Sequence, residues 1–474
     1  MTDEAELDTD GETVNYSDFL SARSQVTTGS GFAPSVIPDH LFDYQRMLVE
    51  WAVAQGRAAL FADCGMGKTP MELAWAENVY RETGKPVLLL TPLAVGFQIA
   101  AEAEKFGHSA AISRTGKPAD ANITITNYEQ LPKFSPDDFG GVVCDESSAI
   151  KSFEGATKAT VTEFMRRMPY RLLGTATAAP NDYLELGTSS EALGELGYTD
   201  MLSRFFTNKN RTVTSRSNFA AAGRDVGWRF KGHAEGPFWQ WVSSWARAIR
   251  KPSDYGFADE GFTLPPLEYR TTLVEASRPA EGTLFDVPAT GLAEEREEAR
   301  RTLDERCEAA ARQVEDADSA VLWCHLNDES TRLAQLLPGA IEVTGSDSPD
   351  AKEEKLAAFT NGEARYLVTK PKIGAWGLNW QHCHRMTYFP SHSFEQHYQA
   401  VRRSWRFGQK NPVTVDVITT KGGEAILSNL KHKAEQADRM FDALIAHMND
   451  ALHVERSRNF TTQMEVPPWL SQAS

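Results

Sequence analysis

Short apolar runs alternate with longer amphipathic segments over most of the chain. Short runs are typical of buried strands, and apolar residues three and four apart are typical of helices. In the first half the predicted elements are helix 41–55, strand 58–62, helix 70–81, strand 87–91, helix 95–106, strands 123–126 and 142–145, helix 157–167 and strand 171–175. This alternation predicts parallel βαβ units whose sheet is covered on both faces.

The alternation stops between residues 200 and 265 and then resumes. The interrupting stretch is rich in Asn, Ser, Arg, Gly and Trp and ends in Leu264-Pro265-Pro266. The predicted elements after it are a charged helix 292–314, strand 320–324, helix 329–337, strand 341–343, helix 349–359, strands 366–369 and 386–389, helix 394–405 and strand 413–418. The fold class predicted is α/β, with two parallel-sheet lobes in tandem and a basic insert between them.

The pattern divides the chain, which at 474 residues is too long for one hydrophobic core, into five segments. They are a disordered acidic tail at 1–35, a first lobe at 36–200, a basic and aromatic insert or linker at 201–265, a second lobe at 266–435, and a C-terminal helix and tail at 436–474. The sequence shows neither a run of about 18 apolar residues nor an N-terminal signal pattern. We therefore expect a cytoplasmic protein without a membrane partner.

Charge is distributed unevenly along the chain. The net charge of −16 argues against a nucleic-acid partner. However, residues 1–20 hold seven acids and no Lys or Arg, whereas residues 203–233 hold seven basic residues and one acid. Because the distribution matters more than the sum, the basic segment is a candidate nucleic-acid surface, with contacts from Arg211, Arg216 and Lys231.

Aromatic residues accompany this basic segment. Trp228, Phe230 and Trp239 are candidates for stacking on bases. Core packing of a small insert is the alternative, and we favour it for Trp239, Trp241 and Trp245.

Residues 61–71, FADCGMGKTPM, join a predicted strand to a predicted helix. Gly65 and Gly67 permit a tight turn whose amide N–H groups, that of Met66 included, point at an anion. Lys68 supplies a cation for the outer phosphates, and Thr69 places a hydroxyl for Mg²⁺. The alternative is a chance glycine-rich turn, but the strand before and the helix after argue against it. The stretch predicts binding of ATP with Mg²⁺.

Two adjacent acids, Asp145 and Glu146, end a predicted strand of the same lobe. A nucleotide hydrolase needs a carboxylate near Mg²⁺ and a group that orients water. Asp145 is therefore predicted to bind the metal and Glu146 to polarise the attacking water. Surface acids at a strand end are the alternative, which the phosphate loop upstream disfavours.

The second lobe has no phosphate loop of its own, which predicts that ATP lies in a cleft between the lobes. Residues 399–409, QAVRRSWRFGQ, are the candidate source of a transition-state arginine. Arg403 and Arg406 lie three apart, on one face of the predicted helix. The end of a solvated basic helix is the alternative.

Together these motifs resemble those of superfamily 2 helicases and translocases, the DEAD/DEAH-box type, and most closely their Swi/Snf-like branch. The resemblance covers residues 38–425 and implies two RecA-like lobes. The matching stretches are 41–45 (Gln motif), 65–69 (motif I), 91–92 (start of motif Ia), 145–148 (motif II), 173–177 (motif III), 374–379 (motif V) and 399–409 (motif VI).

The resemblance also implies roles for individual residues. Gln45 is expected to read adenine, and Gly377 and Asn379 are expected to line the nucleotide site. Contacts to nucleic acid are expected from Thr91, Pro92 and Lys370.

Three departures from the family pattern stand out. Ser148 replaces the motif II histidine that couples the ATP site to motif III, so we expect coupling to run through another contact. Arg402 stands where the branch usually has an acid, so pairing in motif VI must differ. The phosphate loop is one residue shorter than the Swi/Snf form. None of the expected catalytic residues is missing, and an active ATPase is expected.

The function that the resemblance implies is an ATP-dependent DNA helicase or double-stranded DNA translocase. Duplex DNA is favoured over single strands, and the compact size indicates a bacterial or phage source by family analogy. Two alternatives stay open: an RNA-dependent helicase, and an ATP-gated DNA-binding or scaffold protein with little turnover. A recruiting partner is not identified by the sequence.

Overall fold

Two parallel β-sheets covered by helices form the two lobes of the protein. The computed structural model describes residues 30–150, 156–179, 183–208, 228–275, 292–374 and 378–458. The predicted fold class, α/β with two parallel-sheet lobes in tandem, is confirmed.

Strands in the described part of the chain are short, as the apolar runs predict. They are β1 (Arg57–Ala62), β2 (Val87–Thr91), β3 (Ala110–Ile112), β4 (Ile123–Asn127), β5 (Gly141–Asp145), β6 (Tyr170–Gly174), β7 (Phe206–Asn208), β8 (Trp228–Phe230), β9 (Ala246–Ile249), β10 (Leu267–Val274), β11 (Ala320–Trp323), β12 (Ile341–Val343), β13 (Tyr366–Thr369), β14 (Arg385–Tyr388) and β15 (Val413–Thr420).

The helices fill the intervals between these strands. They are α1 (Asp43–Gln55), α2 (Lys68–Thr83), α3 (Gly96–Lys105), α4 (Ala156–Arg166), α5 (Leu186–Leu193), α6 (Tyr198–Phe205), α7 (Glu235–Trp245), α8 (Leu292–Arg301), α9 (Leu303–Val314), α10 (Asn327–Leu336), α11 (Pro349–Thr360), α12 (Pro371–Gly374), α13 (Phe394–Val401) and α14 (Glu424–Arg458). None of the described helices is long and apolar enough to cross a membrane.

The first lobe is a seven-stranded sheet in the order β3-β4-β2-β5-β6-β1-β9, with every pair parallel. Successive residues of a strand point to opposite faces. Accordingly Ala59 and Phe61 belong to one hydrophobic core, and Ala58 and Leu60 belong to the other. Both faces are buried, and the carboxyl ends of β1, β5 and β6 meet at one edge of the sheet.

The second lobe is a six-stranded parallel sheet in the order β10-β15-β14-β11-β13-β12. It too divides its apolar residues between two cores. Val321 and Trp323 pack on one face of β11, and Ala320 and Leu322 pack on the other.

Strand β9 extends the first sheet beyond the boundary that the sequence analysis set at residue 200. It pairs with β1, Ala59 opposite Ala246, and α7 precedes it. The segment 201–265 therefore completes the first sheet in part, besides forming the antiparallel pair of β7 and β8.

Helix α14 connects the two lobes. It begins after β15 in the second lobe, yet Met440, Phe441 and Leu444 are buried in a core of the first lobe. Arg250, which follows β9, pairs with Asp438 at 2.9 Å and with Asp442 at 3.1 Å. The boundary expected at residue 435 thus falls inside a continuous helix.

Candidate active site

The phosphate loop, residues 63–67, lies between β1 and α2 at the carboxyl edge of the first sheet. Gly65 has φ +90° and Gly67 has φ +73°, a left-handed conformation that favours glycine. A Cβ atom on Gly67 would lie 2.2 Å from Nε2 of Gln45, and one on Gly65 would lie 2.9 Å from the backbone nitrogen of Phe407. A side chain at either position would therefore require these neighbours to shift and would be strained by the positive φ.

Gln45 supports this loop from α1. Its Nε2 donates to the carbonyl oxygen of Met66 at 3.0 Å, and its Oε1 accepts from the N–H of Phe42 at 3.0 Å. The Tyr44 hydroxyl donates to the same Met66 oxygen at 3.0 Å. Both ends of the Gln45 amide thus bond to protein groups, and its adenine-reading role stays a prediction.

Lys68 begins α2 and extends back over the loop. Its Nζ donates to the carbonyl oxygen of Ala62 at 3.3 Å and lies 3.9 Å from Oε1 of Glu146. Burial lowers the pKa of Lys68, but nearby acids, Glu146 and Asp145 among them, outweigh it, so the pKa lies above its usual value. The ammonium is charged and held where the outer phosphates of a nucleotide are expected.

Asp145 ends β5 and lies beneath the loop. The Thr91 hydroxyl donates to its Oδ2 at 3.0 Å, and the Tyr128 hydroxyl donates to its backbone oxygen at 2.6 Å. Burial, and then the charge of Glu146, raises the pKa of Asp145 to about 7. The side chain of Thr91 therefore supports a carboxylate inside the protein, and its contact with nucleic acid stays a prediction.

Glu146 has φ +51°, the one non-glycine residue with positive φ in the described ranges. Such a conformation is strained for an L-residue and is common at functional sites. Its Oε2 accepts from the Thr175 hydroxyl at 3.5 Å, a link from motif II to motif III that bypasses Ser148. The Ser148 hydroxyl is buried without a hydrogen-bond partner among the residues described. Coupling through such a contact stays a prediction.

Glu72 is a third acid at this site, and sequence reasoning missed it. Only 1% of its surface is exposed, and neither carboxylate oxygen has a partner in the described part of the structure. Its Oε1 lies 1.9 Å from where a Cβ on Gly174 would stand, and Gly174 is opposite Asp145 in the sheet. The sequence did offer a signal for it: Glu72 stands four residues after Lys68, and residues four apart lie on the same face of a helix.

The second lobe contributes the arginine turn, residues 402–409. Helix α13 ends at Val401, so the predicted helix 394–405 is too long and Arg403 and Arg406 do not share a helical face. Arg403 donates from Nε to the Gln399 oxygen at 3.0 Å, from one terminal nitrogen to the Leu378 oxygen at 3.0 Å, and from the other to Gln399 Oε1 at 2.9 Å.

Arg406 is held more loosely than Arg403. One terminal nitrogen donates to the Leu378 oxygen at 3.3 Å, while Nε has no partner within the described ranges. Burial, and then the charge of Arg403, lowers the pKa of Arg406 to about 10, which leaves it charged at neutral pH. Arg406 therefore has an N–H group to spare for a ligand.

The arginine turn touches the phosphate loop directly. Phe407 of the turn contacts Gly65, and the Cys64 thiol lies 3.8 Å from Oε1 of Gln399 in α13, just before the turn. Asp63 of the loop forms a buried ion pair with Arg402 of the turn. This is the partner of the arginine that departs from the family pattern, and the loop acid was not singled out from the sequence.

Motif V contributes mainly through its backbone. The Leu378 carbonyl accepts from both Arg403 and Arg406, and Oδ1 of Asn379 is buried without a partner among the described residues. Gly377 lies outside the described residues, and the roles of Gly377 and Asn379 stay predictions.

The candidate nucleic-acid contacts are dispersed over both lobes. Arg211 and Arg216 lie outside the described residues. Lys231 is exposed and donates to the Ser203 carbonyl, Lys370 donates to Asn327 Oδ1 at 2.6 Å, and Pro92 is half-buried beside the phosphate-loop edge of the sheet.

The aromatic residues of the insert pack together. Trp239 and Trp245 are buried in a core, as favoured above. Phe230 stacks on Phe206 with ring centroids 4.6 Å apart and on Tyr183 at 5.7 Å. The structure thus uses the Phe230 ring in packing, and stacking on bases stays a prediction.

The donor set fits a magnesium nucleotide. A loop that excludes side chains, a charged lysine and two carboxylates on one edge are what polyphosphate and Mg²⁺ require. Thr69 stands in the first turn of α2 and Asp145 beneath it, where they would hold the metal. Within the described ranges no group of three or more His, Cys, Asp and Glu side chains forms a metal site by itself.

Comparisons with known proteins give distant similarities. No protein-family model matches the chain. Protein p41 of the Acyrthosiphon pisum secondary endosymbiont phage 1 is 29% identical over 195 residues, which cover 34% of this chain and 42% of p41. The chain thus spans about two fifths of that relative's length. The Sulfolobus solfataricus SWI2/SNF2 ATPase core in complex with double-stranded DNA is 16% identical, with a TM-score of 0.40 over 88% of this chain and 96% of that one.

Proposed function

We propose that the protein is a nucleic-acid-dependent ATPase that hydrolyses ATP between its lobes and moves along duplex DNA, as a helicase or a translocase. The observation that carries the proposal is the contact between the phosphate loop and the arginine turn. In the proposal Lys68 and Glu146 of one lobe and Arg406 of the other act on the same nucleotide.

Each residue has a distinct task in this proposal. The amides of 65–67 and the Lys68 ammonium bind the phosphates, and Glu146 accepts a proton from the attacking water. Arg406 stabilises the charge that develops on the transferred phosphoryl group, with Arg403 holding the turn in shape. Mg²⁺, when bound by Thr69 and Asp145, neutralises phosphate charge.

The coupling to movement runs through backbone and hydroxyl contacts. The Thr175 hydroxyl donates to Glu146 in the first lobe. In the second lobe the Leu378 carbonyl accepts from Arg403 and Arg406. In the proposal ATP closes the lobes and hydrolysis reopens them. Each cycle then shifts the grip of motifs Ia and V on a phosphate backbone.

Duplex DNA is proposed from the Swi/Snf-like order of the motifs. Contacts through Pro92, Lys231 and Lys370, and through Arg211 and Arg216, would bind phosphates rather than bases, so affinity should fall with salt and depend little on sequence. The limited similarity to a phage protein is in line with a phage or prophage source.

The decisive experiment measures phosphate release by the full chain with duplex DNA, single-stranded DNA or RNA. Duplex DNA should raise the rate most, and Lys68→Ala and Glu146→Gln should abolish it. A greater response to RNA would favour an RNA helicase. Unchanged hydrolysis in both variants would overturn the ATPase, and no response to any nucleic acid would favour an ATP-gated scaffold.

A second assay separates translocation from strand separation. Release of a triplex-forming strand without unwinding of the duplex would identify a translocase. Release of a duplex strand would identify a helicase. Glu146→Gln serves as the control that binds ATP but does not turn over.

A further inference from the structure

We infer that the buried ion pair between Asp63 and Arg402 positions the phosphate loop against the arginine turn, which makes both of them positioning residues for hydrolysis. The inference rests on the proposed ATPase function. Asp63 is the first residue of the loop, and Arg402 is the first residue of the turn.

Asp63 receives hydrogen bonds from both lobes. A terminal nitrogen of Arg402 donates to Oδ2, and the Tyr398 hydroxyl donates to Oδ1. The N–H of Cys64 also donates to Oδ1, at 2.6 Å, and the N–H of Asp63 donates to the Ile249 oxygen at 2.9 Å. These bonds tie the loop, α13 and the arginine turn to one carboxylate, and the backbone of the same residue is bonded to β9.

Water is largely excluded from this pair. Asp63 is 5% exposed and Arg402 is 8% exposed. The guanidinium carbon of Arg402 lies 4.4 Å from the ring centroid of Trp405 and 5.2 Å from that of Tyr398. Since loss of one partner strands a buried charge, the pair opposes separation of loop and turn without any nucleotide.

The pair holds together the two segments whose catalytic residues must converge on one nucleotide. Lys68 follows the loop directly, and Arg403 and Arg406 follow Arg402 in the turn. A displacement of about 1 Å in an active site can lower the rate on the order of 100-fold. The spacing of lysine and arginines across the cleft therefore depends on this pair.

The test compares Asp63→Asn, Arg402→Gln, their double variant and Arg402→Lys in the full chain. The matched control is Arg306→Gln, which breaks the buried pair of Arg306 with Glu329, 2.8 Å long and confined to the second lobe. The readouts are kcat and KM for ATP hydrolysis with duplex DNA, the melting temperature, and the distance between the lobes without nucleotide.

The lobe distance is measured between spin labels on cysteines introduced at exposed Glu129 and Glu353, one in each lobe. The native cysteines are all buried, so labelling is selective for the introduced sites. This readout does not require hydrolysis and stays informative if the protein has no ATPase activity.

We expect Asp63→Asn and Arg402→Gln each to lower kcat on the order of 100-fold with little change in KM, and to lengthen or broaden the label distance. The double variant should be no worse than either single variant, because both remove one interaction. Arg402→Lys should recover part of kcat. Arg306→Gln should lower the melting temperature without changing kcat or the distance.

Other results would overturn the inference. Single variants with wild-type kcat and label distance would show that the pair positions nothing. Additive losses in the double variant, or equal losses in Arg306→Gln, would show a merely structural role. If Asp63→Asn fails to fold, Arg402→Lys still decides between a positioning role and a merely structural role of the pair. The wild-type protein could lack ATPase activity while its label distance still depends on the pair. That result would refute the proposed function but support the role of the pair in holding loop and turn together.

Discussion

The hydroxyl of Thr175 lies 3.5 Å from Oε2 of Glu146, which joins the end of β6 to the strained residue after β5. The nearby hydroxyls of Ser148 and Thr177 are buried and have no hydrogen-bond partner in the described part of the chain. Among these three hydroxyls in the described part of the chain, that of Thr175 alone contacts Glu146, so we propose that this contact is the route that couples hydrolysis to the rest of the lobe.

Thr175→Val removes this route while keeping the size of the side chain. A hydrogen bond contributes about 0.5–1.5 kcal/mol, so basal kcat should fall roughly 2- to 10-fold. Stimulation of hydrolysis by duplex DNA should fall further, because the contact links motif II to motif III. Thr177→Val is the control, and equal effects of the two variants would contradict the route.

Glu72→Gln should stabilise the protein at neutral pH. Burial, and then the charge of Asp145, raises the pKa of Glu72 well above its usual value. The folded state thus holds its proton more tightly than the unfolded state, so the stability from this group is complete at acidic pH and is lost as the pH rises above 4.5. In Glu72→Gln this loss of stability with rising pH should be absent, and thermal melts of both proteins from pH 5 to pH 8 would measure the difference.

The matched control for Glu72 is Glu77→Gln on the same helix. Glu77 pairs with Arg81 at 2.9 Å and accepts a hydrogen bond from Asn122 at 3.1 Å, so its negative charge has partners that stabilise it. Glu77→Gln should not stabilise the protein at any pH. A gain from Glu77→Gln as large as that from Glu72→Gln would contradict the assignment of an unpartnered acid.

The first-lobe site was predictable because it follows from local rules. Parallel strands place their carboxyl ends at one edge, so a glycine loop after β1 and two acids after β5 must come together there. Lys68, Asp145 and Glu146 do so. Their distances and the φ angle of Glu146 depend on packing that periodicity does not encode.

The contacts between the lobes were not predictable, because they too depend on packing that periodicity does not encode. The pairing of Asp63 with Arg402 joins residues far apart in sequence, and neither has a local pattern that demands it. Helix α13 ends at Val401, and beyond it the Arg403 carbonyl accepts a tertiary hydrogen bond from the N–H of Trp380 at 2.8 Å, which no local pattern encodes. Strand β9 was not predicted because it is short and lies within a polar segment.

His397 should make stability depend on pH in the acid range. Burial, and then the charge of His325, lowers its pKa to about 4 from 6.5. The unfolded state then binds the extra proton between those values, so stability is complete above pH 6.5 and falls as the pH drops towards 4. The loss amounts to roughly 3 kcal/mol.

His397→Gln tests this dependence. The variant also loses the contact with Tyr269, whose hydroxyl lies 3.2 Å from Nε2, so its stability is lower at every pH. The informative quantity is the slope of the free energy of unfolding between pH 6.5 and pH 4, measured by urea titration. A slope equal to that of the wild type would contradict a buried neutral histidine.

The attachment of α14 to the first lobe should depend on apolar contact more than on charge. Phe441 is 5% exposed, and its replacement by Ala should cost about 3–5 kcal/mol. The side chain of Asp438 is 70% exposed, so Asp438→Asn should cost about 0–1 kcal/mol despite its ion pair with Arg250. Calorimetry of both variants compares the costs, and similar losses would contradict this ranking.

Arg403 and Arg406 should differ in what their loss does. Three hydrogen bonds hold Arg403 to its own lobe, whereas one carbonyl holds Arg406, which keeps a free Nε–H among the described contacts. Hydrogen bonds to charged groups contribute about 1.5–3 kcal/mol each, so Arg403→Gln should lower both the melting temperature and kcat.

Arg406→Gln should instead lower kcat by about 10³-fold with a smaller loss of melting temperature than Arg403→Gln, because it breaks one hydrogen bond and not three. Binding of a fluorescent ADP should change little in this variant, because ADP lacks the phosphoryl group that Arg406 is proposed to contact. If Arg406→Gln lowers the melting temperature as much as Arg403→Gln, the two arginines share a structural role. In that case the transition-state charge must be met by another group.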